Sequence, residues 1–146
     1  MLELAIPGDN KGRASLVLDV GAEDCRRVMV PMRTARQIAD DSAFGWPTLA
    51  KIDVEGYEPQ VFASLAPALA ERACEAIVFE NHAWQGNAFG QILGIVQPCG
   101  YRAFAILKSA FATQLQACDA IVPAANDYAV IRDDLLGRPS VRKMIA

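Results

Sequence analysis

The sequence predicts an α/β fold in which neighbouring parallel strands deliver polar residues to one edge of a sheet. Three observations carry this. Thr48 to Val54 is a short aliphatic run that passes directly into a turn and a helix start at Pro59. Ala76 to Glu80 is a second uninterrupted apolar run, one helix later. Phe89, Ile92, Leu93 and Val96 then repeat at i, i+3, i+4, i+7 before Tyr101 to Leu107 resumes strand character. A strand, helix, strand unit makes a right-handed crossover, which leaves its two strands parallel.

Each element has its own signal. Leu2 to Ile6 alternates weakly and ends in the turn cluster Pro7-Gly8-Asp9-Asn10, after which Ala14 to Val20 is again strand-like, giving a hairpin or two separated strands. Val28 to Met32 reads as a short strand and Thr34 to Asp40 as a short helical turn. The loop from Asp41 to Pro47 carries Trp46, which is expected to pack beneath it. Pro59 suits a first helical turn, where its missing N–H has no partner to lose. Val61, Phe62, Leu65 and Leu69 then share a face that covers the sheet, and Pro67 is expected to start a second short helix. The next helix begins near Asn87 and ends at Pro98-Cys99-Gly100. Tyr101 to Leu107 and Tyr128 to Arg132 are strands. Lys108 to Ala125 has no strong period and exceeds an ordinary connection, so it reads as a lid or substrate loop. The tail from Asp133, with Arg138, Arg142 and Lys143, reads as a solvated helix or frayed end.

The totals narrow the function. At 146 residues the chain is a single domain, and a net charge of −3 offers no electrostatic footprint for nucleic acid. Cys25, Cys74, Cys99 and Cys118 form no Cys-x-x-Cys pair and have only His82 as an imidazole partner, which points to buried thiols rather than zinc or redox chemistry. The start has no basic segment before an apolar core, and no run approaches the ~18 apolar residues of a membrane span. A reduced, cytoplasmic protein with no membrane partner is expected.

The chemistry is sought where the strands end. In open parallel sheets, ligands bind at the carboxyl ends of strands, beside helix N-termini with unpaired N–H donors. Strand alternation puts Lys51, Asp53 and Glu55 on one side of the backbone, so both acids would point into one crevice, unless one caps the helix or pairs with Lys51. The second strand delivers Glu80, Asn81 and His82 to the same edge. His82 is the sole histidine, and imidazole is the side chain best suited to accept a proton near neutral pH, although a hydrogen-bonded structural role fits it equally. Glu80 either orients His82 or binds substrate hydroxyls.

The run Lys51 to Glu58, Lys-Ile-Asp-Val-Glu-Gly-Tyr-Glu, followed about 25 residues on by Ile77-Val78-Phe79-Glu80-Asn81-His82, resembles the FkbM-type S-adenosylmethionine-dependent methyltransferases. The likeness extends over roughly Leu2 to Asp134. It implies a partial Rossmann-like class I methyltransferase sheet, mainly its second half, closed by a C-terminal β-hairpin of the last two strands. It also implies S-adenosylmethionine as cofactor and, as acceptor, a hydroxyl of a sugar, glycan or polyketide-like small molecule. On this resemblance His82 is the catalytic base, and Asp53 and Glu55 lie near the sulfonium or the acceptor, with Asp53 on the cofactor. Glu80 and Asn81 bind substrate. Methyl transfer to oxygen needs no metal, although Asp53, Glu55 and Glu80 are the oxygen donors a Mg²⁺ would use.

The family's glycine-rich cofactor turn is not found. Val17-Leu18-Asp19-Val20-Gly21-Ala22 looks like it, but no second glycine follows Gly21, and the 34 positions from Asp19 to Asp53 are too few for the intervening strand and helix pairs at about 30 residues each. Thr34-Ala35-Arg36 stands where the family has a Thr-Leu-Asp-like element, without its acid. The expectation is therefore a single domain over residues 1–146 that lacks the N-terminal glycine-rich motif, the C-terminal portion of a truncated enzyme. The competing expectation is a non-catalytic remnant or interaction module that keeps the half-sheet without binding cofactor alone. Its exposed edge strand would pair with a second copy.

Overall fold

Two strands that run parallel form one end of a five-stranded mixed sheet, and the other three strands are antiparallel to their neighbours. The computed structural model describes residues 1–8, 14–16, 25–43, 45–82, 86–110 and 112–145. Among these, β1 (Leu2–Pro7) and β2 (Cys25–Val30) pair antiparallel as a separate two-stranded sheet. The main sheet contains β3 (Leu49–Ile52), β4 (Ala76–Glu80), β5 (Tyr101–Lys108), β6 (Thr113–Ala117) and β7 (Asp127–Arg132) in the order β3-β4-β7-β5-β6. Four helices are described: α1 (Ala35–Asp41), α2 (Glu58–Ala70), α3 (Ala88–Val96) and the short α4 (Pro139–Arg142).

The core forms where the apolar stripes of α2 and α3 meet one face of this sheet. Phe62, Leu65 and Leu69 of α2 and Phe89, Ile92 and Val96 of α3 pack with Ile52, Ile77, Phe79, Tyr128 and Val130 of the strands. Phe79 lies at the centre, with ring centroids 5.1 Å from Phe62, 5.8 Å from Tyr128 and 6.2 Å from Phe89. Trp46 is half-buried against this cluster, as its place in the loop suggested. α1 opens on a capping box: the Thr34 side chain accepts from the Gln37 N–H, and the Gln37 side chain accepts from the Thr34 N–H. Gly100, at φ 79°, ends the turn after α3 in the left-handed conformation that glycine tolerates.

Four expectations need correction. The N-terminal strand finds its partner in β2, and Ser15 makes only an isolated bridge to Ala5; Val17 to Ala22, with its glycine, lies outside the described residues. α2 runs without a break through Pro67, because Ala68 and Leu69 beyond it are buried and extend the same apolar face. The segment after Lys108 is not a simple loop. It returns as β6 on the outer edge of β5, a strand of which only Leu115 is buried, too little apolar content to show a period. β5 and β7 do pair antiparallel, but with β6 inserted between them in the chain. The tail does form an exposed helix, α4, but it is anchored rather than frayed: Leu135 is buried, Leu115 N–H donates to Met144 O at 2.7 Å, and Val141 and Ile145 pack with Phe104 and Ile131 on the second face of the sheet.

Candidate active site

The carboxyl ends of β3 and β4 lie side by side. Ile52 is in register with Phe79, so the next residue of each strand, Asp53 and Glu80, emerges at the same edge. Asp53 accepts from Lys51 Nζ at 2.7 Å. That bond and the charge of Asp53, with smaller contributions from Asp127 and Glu80, raise the Lys51 ammonium above its ordinary value. Across β4, Asp127 of β7 is in register with Glu80 and pairs with Lys108 Nζ at 2.5 Å. Two of the expected acids therefore share one polar edge, and Asp127 adds a third that sequence reasoning missed, because the place of β7 next to β4 has no local signal.

Glu80 and His82 meet, with Nε2 of the imidazole 3.1 Å from Oε1 of the carboxylate. Both side chains are about one-third exposed or less, so the pair is open to a ligand without being fully solvated. Asn81, between them, turns inward and is 1% exposed. Its backbone N–H donates to Asn126 O at 2.8 Å and its Nδ2 to His82 O at 3.4 Å, while its Oδ1 has no hydrogen-bond partner among the described residues. A buried acceptor without a donor is costly and therefore uncommon.

Glu55 does not follow the strand alternation. β3 stops at Ile52, and Glu55 sits in the turn before α2 at φ 52°, followed by Gly56 at φ 98°. A left-handed conformation costs a non-glycine residue about 1–2 kcal/mol. Gly56 adopts it without a Cβ penalty. Three bonds close around this turn: Tyr57 N–H donates to Val54 O, and the Glu58 carboxylate accepts from Val54 N–H through Oε1 and from Gly56 N–H through Oε2, each at 3.0 Å. Glu58 is 2% exposed. Ser15, also buried, donates its hydroxyl to Glu55 O at 2.7 Å. The signal for Glu58 was its place one residue before Pro59. Nothing local marks Ser15.

Two cavities flank these elements. One of about 350 Å³ lies between α1 and α2, with Tyr57, Gln60, Val61, Thr34 and Ile38 in its walls. Another of about 370 Å³ lies at the start of α3, lined by Asn87, Phe89, Gly90 and residues 119–121. Among the described residues no group of three or more His, Cys, Asp or Glu is placed to hold a metal ion, and no helix is long and apolar enough to cross a membrane.

Comparison with known proteins agrees with the run from Lys51 to Glu58. The family described as Methyltransferase FkbM domain matches residues 1–103, which include β3, the acidic turn, α2, β4 and His82. No curated protein and no solved structure matches the chain. With more than two-thirds of its 146 residues inside that match, the chain belongs to the FkbM methyltransferase domain family.

Proposed function

We propose that the protein is an S-adenosylmethionine-dependent O-methyltransferase acting on a hydroxyl of a sugar, glycan or other small molecule. The observation that carries this is the His82–Glu80 pair at the end of β4, one strand from Asp53, in a chain of the FkbM family. We read the main sheet as the second half of a Rossmann-like class I methyltransferase sheet. Its parallel β3 and β4 and its antiparallel closing strand β7 support that reading.

The residues present suit such a cofactor. It is cationic at sulfur and at its amino group, and the edge offers the carboxylates of Asp53, Glu80 and Asp127 as acceptors. When bound, S-adenosylmethionine supplies an electrophilic methyl group. His82, held by Glu80 at Nε2, would take the acceptor's hydroxyl proton as the O–C bond forms and the S–CH₃ bond breaks, leaving the cofactor's sulfur as a neutral thioether. Glu80 holds the ring and offsets the positive charge that the proton brings. Lys51 fixes the Asp53 carboxylate on the neighbouring strand. The four free thiols suit a cytoplasmic location.

Calorimetric titration of the purified chain with S-adenosylmethionine tests this reading. Micromolar binding that disappears in Asp53→Ala supports it, and His82→Ala then lowers methyl transfer by about 10²–10⁴-fold while cofactor affinity is kept. No binding at millimolar cofactor overturns it and favours a second reading, an interaction module. One observation supports that alternative: among the described residues β3 pairs on one side only, and its Leu49 is 62% exposed, an edge suited to pairing with a second copy. Sedimentation would then show dimers that Leu49→Lys disperses.

A further inference from the structure

We infer that Glu58 and Ser15 are positioning residues for this methyl transfer, locking the turn that carries Asp53 and Glu55 from two separate parts of the chain. The inference rests on the reaction proposed above. Glu55, a non-glycine residue at φ 52°, makes this turn costly, and strained backbone persists only where its surroundings hold it. Here they do so from both sides. Glu58, at the start of α2, places one carboxylate oxygen on Val54 N–H and the other on Gly56 N–H, bracketing Glu55. A capping side chain reaches back to the residue just before its helix, as Gln37 does to Thr34, whereas Glu58 reaches two and four residues back, to Gly56 and Val54. Ser15, from the segment bridged to β1, donates to the carbonyl of Glu55 itself.

The chemistry of the clamp is specific. A carboxylate has acceptor capacity on both oxygens and no donor, so it satisfies two N–H groups at once, whereas a glutamine has one acceptor oxygen and an NH₂ that would face an N–H. Locked in this way, the turn fixes where the chain leaves β3 and thus where Asp53 stands relative to Glu80 and His82. Catalytic groups need such fixed placement, since a misplacement of about 1 Å costs about 10²-fold.

Amide hydrogen exchange and calorimetry on the full 146-residue chain test the inference. In Glu58→Gln, the Val54 and Gly56 amides are expected to exchange faster while those of Phe79 and Tyr128 are unchanged, and S-adenosylmethionine is expected to bind about tenfold more weakly. A merely structural loss would lower the melting temperature and leave the affinity of the folded protein alone. Ser15→Ala removes the hydroxyl that donates to Glu55 O, and it decides the matter if Glu58→Gln does not fold: its affinity is expected to fall severalfold. Unchanged affinity in the folded variant overturns the positioning role. Should the wild-type chain not bind S-adenosylmethionine at all while the two amides still respond to Glu58→Gln, the methyltransferase reading fails. The positioning role then falls with it, and the clamp remains as a structural bond.

Discussion

Tyr101 shows what one buried hydroxyl contributes. The ring is 2% exposed at the start of β5, and its O–H donates to Cys74 O at 2.5 Å, tying β5 to the residues ahead of β4. Burial is the main cause that raises the phenol above its ordinary value. A raised value means the folded state favours the protonated form, so this contribution is complete below the unfolded phenol's pKa of about 10 and is lost as pH rises through the folded value. Tyr101→Phe is expected to cost about 1–3 kcal/mol, the penalty for a buried carbonyl left without its donor. The alkaline decline in stability, followed by urea denaturation between neutral and strongly basic pH, should become shallower. Tyr128 and the thiols of Cys74 and Cys118, raised by the same cause, keep part of that slope. At this scale the sequence was readable for where a residue stands after a strand, as with Asp53, Glu80 and His82 at one edge. It was not readable for Ser15 and Asp127, whose partners are a backbone atom and a strand brought near only by the fold, and Glu58 offered only its place before Pro59.

Among the elements, α2 shows a local preference overruled by packing. Pro67 lacks the N–H that would bond to Ala63 O, which alone argues for a helix boundary. The helix continues because Ala68 and Leu69 are buried against the core, and the released carbonyl belongs to an exposed residue that water can reach. Pro67→Ala is therefore expected to stabilise the protein. The helix gains about 3 kcal/mol in propensity, offset by roughly 1 kcal/mol of extra freedom in the unfolded chain, and the packing around the proline accommodates part of the rest. A gain of about 1–2 kcal/mol in urea denaturation is the expected result, and a loss would mean that the proline ring itself makes a needed contact. The stripe of α3 was visible because four large apolar residues repeat on one face. β6 was not, since a single inward leucine cannot establish an alternation.

At the scale of the molecule, the two ends of the sheet carry different tasks. β3 and β4 present the polar edge, and the far end, at β5 and β6, is held by the last residues of the chain. Those residues cover the second face: Leu135, Val141 and Ile145 pack with Phe104, Leu115 and Ile131, and Ile145 extends the sheet by a parallel bridge to Leu115. Removing residues 137–146 takes away that bridge, the Met144 carbonyl and two aliphatic side chains, leaving Leu135 and Leu136 as cover from this segment. Full burial of one aliphatic side chain is worth about 1.5–3 kcal/mol, and Val141 and Ile145 are half-buried, so the expected cost is about 2–4 kcal/mol. A domain with about 5–15 kcal/mol of stability survives that loss. Its unfolding midpoint in urea falls, and the Leu115 amide, freed from Met144 O, exchanges faster while those of Ile52 and Ile77 do not change. Equal acceleration at β3 and β4 would instead mean that the sheet opens as one unit, so that the tail stabilises the edge bearing Asp53 and Glu80 as much as the strand it touches.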